Sequence, residues 1–85
     1  MAKVEIYTKD YCPYCHKALA LLKSKDVTFI HYDVTHDTDK HAEMVKRADG
    51  RKTVPQVFIN DNGIGGCDDL HDLDRQGKLD TMLGA

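Results

Sequence analysis

The sequence predicts a small α/β domain, a sheet flanked by helices with elements in the order βαβαββα, and three observations carry this. Apolar residues recur at every second position, then at every third and fourth, then at every second again. The opening strand, helix and strand follow one another as a βαβ unit, which implies a parallel pair. Two short strands joined by turn residues come later and imply an antiparallel pair. At 85 residues the chain has material for one modest core, so residues 1–85 are expected to form a single domain.

Each element has its own signal. Lys3 to Thr8 alternates apolar and polar residues and is rich in β-formers, so it reads as a strand. From Pro13, a residue suited to a first helical turn, Cys15, Ala18, Leu19 and Leu22 fall on one helical face. Val27 to Asp33 returns to β-branched and aromatic residues and forms the second strand. Between Thr35 and Asp49, Met44, Val45 and Ala48 share a face, and Gly50 stands where that helix would stop. Gln56 to Asn60 reads as a buried strand through Val57-Phe58-Ile59. Asp61-Asn62-Gly63 supplies a hairpin signal leading into Ile64. After Gly65-Gly66, Cys67-Asp68-Asp69 opens a helix carrying Leu70 and Leu73. Gly77 separates it from a final stripe of Leu79, Met82 and Leu83.

Charged residues make up 31% of the chain at a net charge of −2. No broad basic field is present to hold nucleic acid or an anionic membrane surface. No run approaches the ~20 apolar residues of a membrane span, and Met1-Ala2-Lys3 leads into Val4-Glu5-Ile6 rather than an apolar signal segment. A cytoplasmic location is expected. No long apolar surface stripe is left unused, so a monomer is expected too.

Three cysteines, two of them close together, do not suit the paired disulfide framework of a small secreted domain. In a reducing compartment such a pair means metal binding or redox chemistry. Cys12-Pro13-Tyr14-Cys15 lies where the first strand gives way to the first helix. Unpaired N–H groups and the positive end of a helix dipole there favour thiolate over thiol, so Cys12 is expected to be the nucleophile. Lys9 is close enough in sequence to add positive charge. Cys15, one turn later, is the natural resolving thiol for a mixed disulfide formed on Cys12. Zinc is the competing explanation. It lacks ligands, because Cys67 stands alone and His31, His36, His41 and His71 form no ligand-like group with it. Cys12, Cys15 and His16 also match the C-x-x-C-H haem attachment pattern, with Met44 or Met82 as conceivable axial ligands. The predicted strands and the lack of an export signal argue against it. No metal is expected.

Three separated blocks together resemble the glutaredoxin family, specifically its short bacterial dithiol members. They are Tyr7-Thr8-Lys9 ahead of Cys12-Pro13-Tyr14-Cys15, then Thr53-Val54-Pro55, then Gly65-Gly66-Cys67-Asp68-Asp69-Leu70. Thioredoxin proper lacks this tyrosine between its cysteines, and the shorter glutaredoxin-like electron donors carry a tryptophan block absent here. The resemblance implies a thioredoxin fold, a mixed four-stranded sheet flanked by helices, with a glutathione groove beside the reactive cysteine. It implies that Pro55 follows a cis peptide bond and that Val54 pairs main-chain groups with the cysteinyl part of glutathione, flanked by Thr53. Cys67 and Asp68 would open a helix whose N–H groups hold the γ-glutamyl carboxylate, with the Asp68 side chain accepting from the ammonium. Gly66 would allow close backbone approach, Lys9 would attract the glycyl carboxylate, and Tyr14 would pack at the groove wall. Arg47, Arg51 and Lys52 read as a solvent-facing charged helix end rather than a further contact, and the Cys67 sulfur as a packing group.

The implied activity is reduction of protein disulfides and glutathione mixed disulfides, with glutathione as co-substrate and no tightly bound cofactor. Implied partners are glutathione and disulfide-containing or glutathionylated proteins. The alternative is an iron–sulfur module in which Cys12 and external glutathione hold a cluster between two protomers. Pro13 argues against it, since cluster-binding relatives more often carry a smaller residue there.

Overall fold

The computed structural model describes residues 2–84. Along the chain it contains β1 (Val4–Thr8), α1 (Pro13–Ser24), β2 (Ile30–Asp33), α2 (Thr38–Arg47), β3 (Gln56–Ile59), β4 (Asn62–Gly65), α3 (Cys67–Arg75) and α4 (Lys78–Met82). The four strands form one mixed sheet in the order β2-β1-β3-β4. β1 runs parallel to β2 and antiparallel to β3, and β3 runs antiparallel to β4.

β1 sits in the interior of the sheet with both faces covered, and its period-two pattern divides the protein into two layers. Val4 and Ile6 join Val57 and Ile59 of β3 beneath Ala18 and Leu22 of α1, Leu70 of α3 and Leu79 of α4. On the opposite face Tyr7 and Phe58 pack with Met44 of α2 and Val34. The alternation in β1 suggests one solvated face, yet all five of its residues are buried. The polar residue on the α2 side, Glu5, is only 4% exposed. Arg47 at the end of α2 grips it with two bonds of 2.9 and 3.1 Å and donates to the Tyr7 hydroxyl at 2.8 Å. The guanidinium lies 4.1 Å from the centre of the Phe58 ring. Arg47 is therefore not a solvent-facing helix end. It closes the second layer by neutralising a buried carboxylate.

Two element boundaries differ from the sequence expectation. Val27 to Phe29 does not join the sheet: the β1–β2 ladder starts at the Glu5–Ile30 pair. Their apolar side chains still pack on the first layer. The hairpin turn falls on Asn60 and Asp61, with φ of 51° and 67°, one residue ahead of the expected Asp61-Asn62-Gly63. Both residue types tolerate the left-handed region that such a turn requires. Asn60 is held further by bonds of 2.9 and 2.8 Å to the Lys3 backbone. Gly63 thereby falls inside β4, against the Phe58 ring.

The helix starts follow the capping rules. Asp37 caps α2 by accepting the Lys40 N–H at 2.9 Å, and Cys12 and Gly66 are the N-cap residues of α1 and α3. These last two helix starts frame the site.

Candidate active site

The chain leaves β1 at Thr8 and folds back through Lys9–Tyr11, where the Cys12 N–H donates to the Lys9 carbonyl at 3.3 Å. Cys12 adopts an extended conformation, φ −94° and ψ 113°, and Pro13 takes the first helical position. A proline there costs nothing, because that N–H would have no intrahelical acceptor. The Cys12 Sγ accepts the Cys15 N–H at 3.4 Å, the role a serine or aspartate oxygen plays at other helix starts. Its thiol also lies 3.8 Å from the Val54 carbonyl, to which it donates.

Cys15 lies one turn further on with no exposure at all. Burial pushes its thiol up to about 12; a backbone contact from Lys9 opposes this, and the neighbouring Cys12 sulfur adds to it. The two sulfurs are thus unequal: Cys12 is half-buried at the surface and Cys15 is sealed beneath it. All three cysteines are free thiols.

The opposite wall comes from the segment entering β3. The Val54–Pro55 peptide bond is cis. Gln56, 2% exposed, turns its amide back to donate to the Thr53 carbonyl at 3.0 Å and the Thr53 hydroxyl at 3.2 Å. This fixes the segment that faces Cys12. The third wall is the β4–α3 junction. Gly65 has φ +112°, and a Cβ there would run into the Asp69 carboxylate, so the turn requires glycine on both counts. Asp69 accepts the Gly66 N–H at 2.9 Å. The first backbone bond of α3 joins Leu70 N–H to the Gly66 carbonyl at 3.0 Å. The N–H groups of Cys67 and Asp68 therefore have no intrahelical acceptor. The Cys67 thiol is pushed up by burial and then by the Asp68 carboxylate.

These walls enclose a groove of about 170 Å³ lined by Tyr14, Arg51, Thr53, Val54, Pro55, Gly66, Cys67, Asp68 and Asp69. Seven site residues expected from the sequence meet there: Tyr14, Thr53, Val54, Pro55, Gly66, Cys67 and Asp68. Lys9 is not among them. It precedes the turn into α1, and its ammonium rests 6.0 Å from the centre of the Tyr11 ring. Arg51, read from the sequence as part of a solvent-facing helix end, lies beyond α2 and lines the groove instead, and Asp69 joins it with the charged groups 3.8 Å apart. Arg51 follows Gly50, where the end of α2 gives way to a loop, and no motif marks which way such an arginine turns. A larger hollow of about 510 Å³ lies near Asp10, Asp33 and His36, but it contains no cysteine and is open polar surface. Among the described residues, no three His, Cys, Asp or Glu side chains are grouped as metal ligands. No described helix is long and apolar enough to cross a membrane.

The glutaredoxin family model matches residues 4–64. The chain belongs to the glutaredoxin family. Glutaredoxin 3 of Escherichia coli strain K12 is 57% identical over 83 residues, covering 98% of this chain and 99% of that protein. The crystal structure of a buckwheat glutaredoxin–glutathione complex aligns with a TM-score of 0.87 at 30% identity, over 98% of this chain and 77% of that one. The solution structure of a Brucella melitensis glutaredoxin aligns with a TM-score of 0.84 at 47% identity, over 98% of this chain and 89% of that one. Membership in the glutaredoxins carries a thioredoxin fold and glutathione-dependent thiol oxidoreductase chemistry.

Proposed function

We propose that the protein reduces glutathione mixed disulfides and protein disulfides through Cys12 and Cys15, using glutathione as co-substrate and acting as a cytoplasmic monomer. The carrying observation is the asymmetry of the two sulfurs at one helix start. Cys12 is part-exposed, receives the Cys15 N–H and lies 3.8 Å from the carbonyl of the groove residue Val54, whereas Cys15 is sealed one turn below. An attacking thiolate needs access and donors aimed at its charge; a resolving thiol needs only to wait within reach.

With a glutathione mixed disulfide, the Cys12 thiolate attacks the glutathione sulfur. The Cys12–glutathione disulfide forms, the original bond breaks, and the substrate leaves as a thiolate that takes a proton. A second glutathione thiolate then attacks the glutathione sulfur on Cys12, releasing oxidised glutathione and regenerating the Cys12 thiolate. With a protein disulfide, Cys12 forms the mixed disulfide and Cys15 displaces the substrate by closing the Cys12–Cys15 bond; two glutathione molecules restore the dithiol. Once Cys12 is held in a mixed disulfide, its sulfur no longer opposes ionisation of Cys15. The resolving thiol becomes easier to ionise when it is needed.

In this reading the groove holds the tripeptide. The Val54 main chain pairs with its cysteinyl residue beside Thr53 and Pro55, and Tyr14 forms a wall. The free N–H groups of Cys67 and Asp68 receive the γ-glutamyl carboxylate, the Asp68 side chain accepts from the ammonium, and Gly66 permits the approach. For the glycyl carboxylate, Arg51 already lines the groove, whereas Lys9 would have to leave the Tyr11 ring. A glutathione-coupled assay on a small mixed disulfide tests the division of roles. Cys12→Ser should abolish turnover and Cys15→Ser should retain much of it, with loss confined to protein disulfides. Equal loss in both variants would overturn the assignment.

A further inference from the structure

The groove occupies one side of Cys12, between Val54 and the start of α3, and a tripeptide seated there leaves the other half of a mixed disulfide to approach over Tyr11, Pro13 and Tyr14. That approach has a distinct composition. Among the described residues, the exposed large apolar or aromatic side chains are Tyr11 at 69%, Tyr14 at 57% and Ile30 at 46%, and two of these three lie within two residues of Cys12, one on either side. Each of these two tyrosines carries a lysine. The Lys9 ammonium is 6.0 Å from the Tyr11 ring centre, and that of Lys17 is 5.6 Å from the Tyr14 ring centre. Lys17 is three residues beyond Tyr14 on α1, hence on the same face.

The charge balance of this rim opposes that of the protein. The chain is net −2, but the segment from Lys9 to Lys17 carries two lysines and one carboxylate. That carboxylate, Asp10, borders the separate hollow with Asp33 and His36, and its N–H is tied to the Thr35 hydroxyl at 2.9 Å. The influence of Lys17 reaches the groove itself. Burial and then Asp68 push the Cys67 thiol up, and the Lys17 ammonium opposes them.

We infer that the Tyr11–Tyr14 rim with Lys9 and Lys17 is the docking surface for the polypeptide half of the substrate, and that it favours partners with carboxylates beside the reacting cysteine. This rests on the proposed function and deepens it by naming a substrate class. Flat aromatic faces offer sequence-tolerant contact to any chain, and the ammonium groups beside them supply the selectivity. Charges at such a rim act chiefly on encounter rate and on its salt dependence.

Three glutathionylated peptides, identical except for two Glu, two Gln or two Lys residues flanking the cysteine, test the inference in the glutathione-coupled assay. The wild-type kcat/KM should rank Glu above Gln above Lys, with about a tenfold span at low ionic strength that shrinks to about twofold in 0.5 M salt. Lys17→Glu should reverse the ranking of the Glu and Lys peptides, each taken relative to the Gln peptide on the same variant. Tyr11→Ala should slow all three peptides by a similar factor, the mark of lost non-selective contact. Equal treatment of the three peptides by the wild type, or a ranking that survives Lys17→Glu, overturns the docking surface and leaves the proposed function standing. If the Gln peptide is not reduced at all, the proposed function falls and the docking surface with it.

Discussion

Selective alkylation reads the inequality of the Cys12 and Cys15 sulfurs directly. Cys15 has no solvent exposure, and its thiol is pushed up to about 12, chiefly by burial. At pH 7.5 that corresponds to about 1 thiolate in 30,000, against about 1 in 11 for an unperturbed cysteine near 8.5, so ionisation alone slows its alkylation by about three orders of magnitude. The assay is a pulse of iodoacetamide on the reduced native protein, followed by unfolding and a second, isotopically heavy label. Mass spectrometry of the cysteine peptides then gives each site's fraction. Cys12 should carry the first label and Cys15 the second, with the native Cys15 rate rising about tenfold per pH unit to about pH 11. In Cys12→Ser the smaller contribution of the Cys12 sulfur disappears but burial remains, so Cys15 should still react far more slowly than in the unfolded chain. Native labelling of Cys15 at pH 7.5 within tenfold of the denatured rate, or a plateau below pH 10, would refute the picture of a sealed, protonated reserve.

Other perturbations follow from the scaffold. Arg47→Met leaves Glu5 buried without its cation and should cost about 3 kcal/mol, the low end for breaking a buried pair because the arginine side chain is 24% exposed. Denaturant unfolding measures it, and adding Glu5→Gln to the same chain should recover part of the loss. Arg47, the largest cause, holds the Glu5 carboxyl below its usual value of 4.5. This contribution is therefore present above that pH and is lost as pH falls through the depressed native value. The deficit of Arg47→Met should accordingly be larger at pH 7 than at pH 3. Gly65→Ala places a side chain at φ +112° against the Asp69 carboxylate and should cost about 1–3 kcal/mol, seen as a lowered denaturant midpoint with an unchanged slope. Asp37→Ala removes the α2 cap and should cost about 1 kcal/mol, with the far-UV helical signal fraying on mild heating before the global transition.

The parts of the molecule that the sequence displays most clearly are those where local chemistry and tertiary role coincide. Pro13 after Cys12 announces a helix start whether or not a sheet lies beside it, and α1 begins at that residue. Thr53-Val54-Pro55 is silent by composition. Its cis bond was expected from the family resemblance alone. What stayed hidden depends on neighbours distant in the chain. Glu5 looks like a solvated strand residue until Arg47, 42 positions away, folds over it. Val27 to Phe29 has strand composition but forms no ladder with β1. Arg51 lines the groove because the chain leaving α2 passes the start of α3, a juxtaposition with no local mark. Lys9 shows the converse: proximity in sequence to Cys12 says nothing of direction, and its ammonium is turned toward an aromatic ring.

The antiparallel pairing of β1 and β3 gives the whole molecule a polarity. Tyr7 opposite Gln56 brings the exit of one strand and the entrance of its neighbour to a common pole, where Cys12 meets the Val54 carbonyl. The Asn60–Asp61 turn and Lys3 gather at the other pole, joined to each other by the Lys3–Asn60 bonds. Fusion partners, surface tethers or new chain ends attached at that distal pole should leave turnover intact, because among the described residues none at that pole lines the groove.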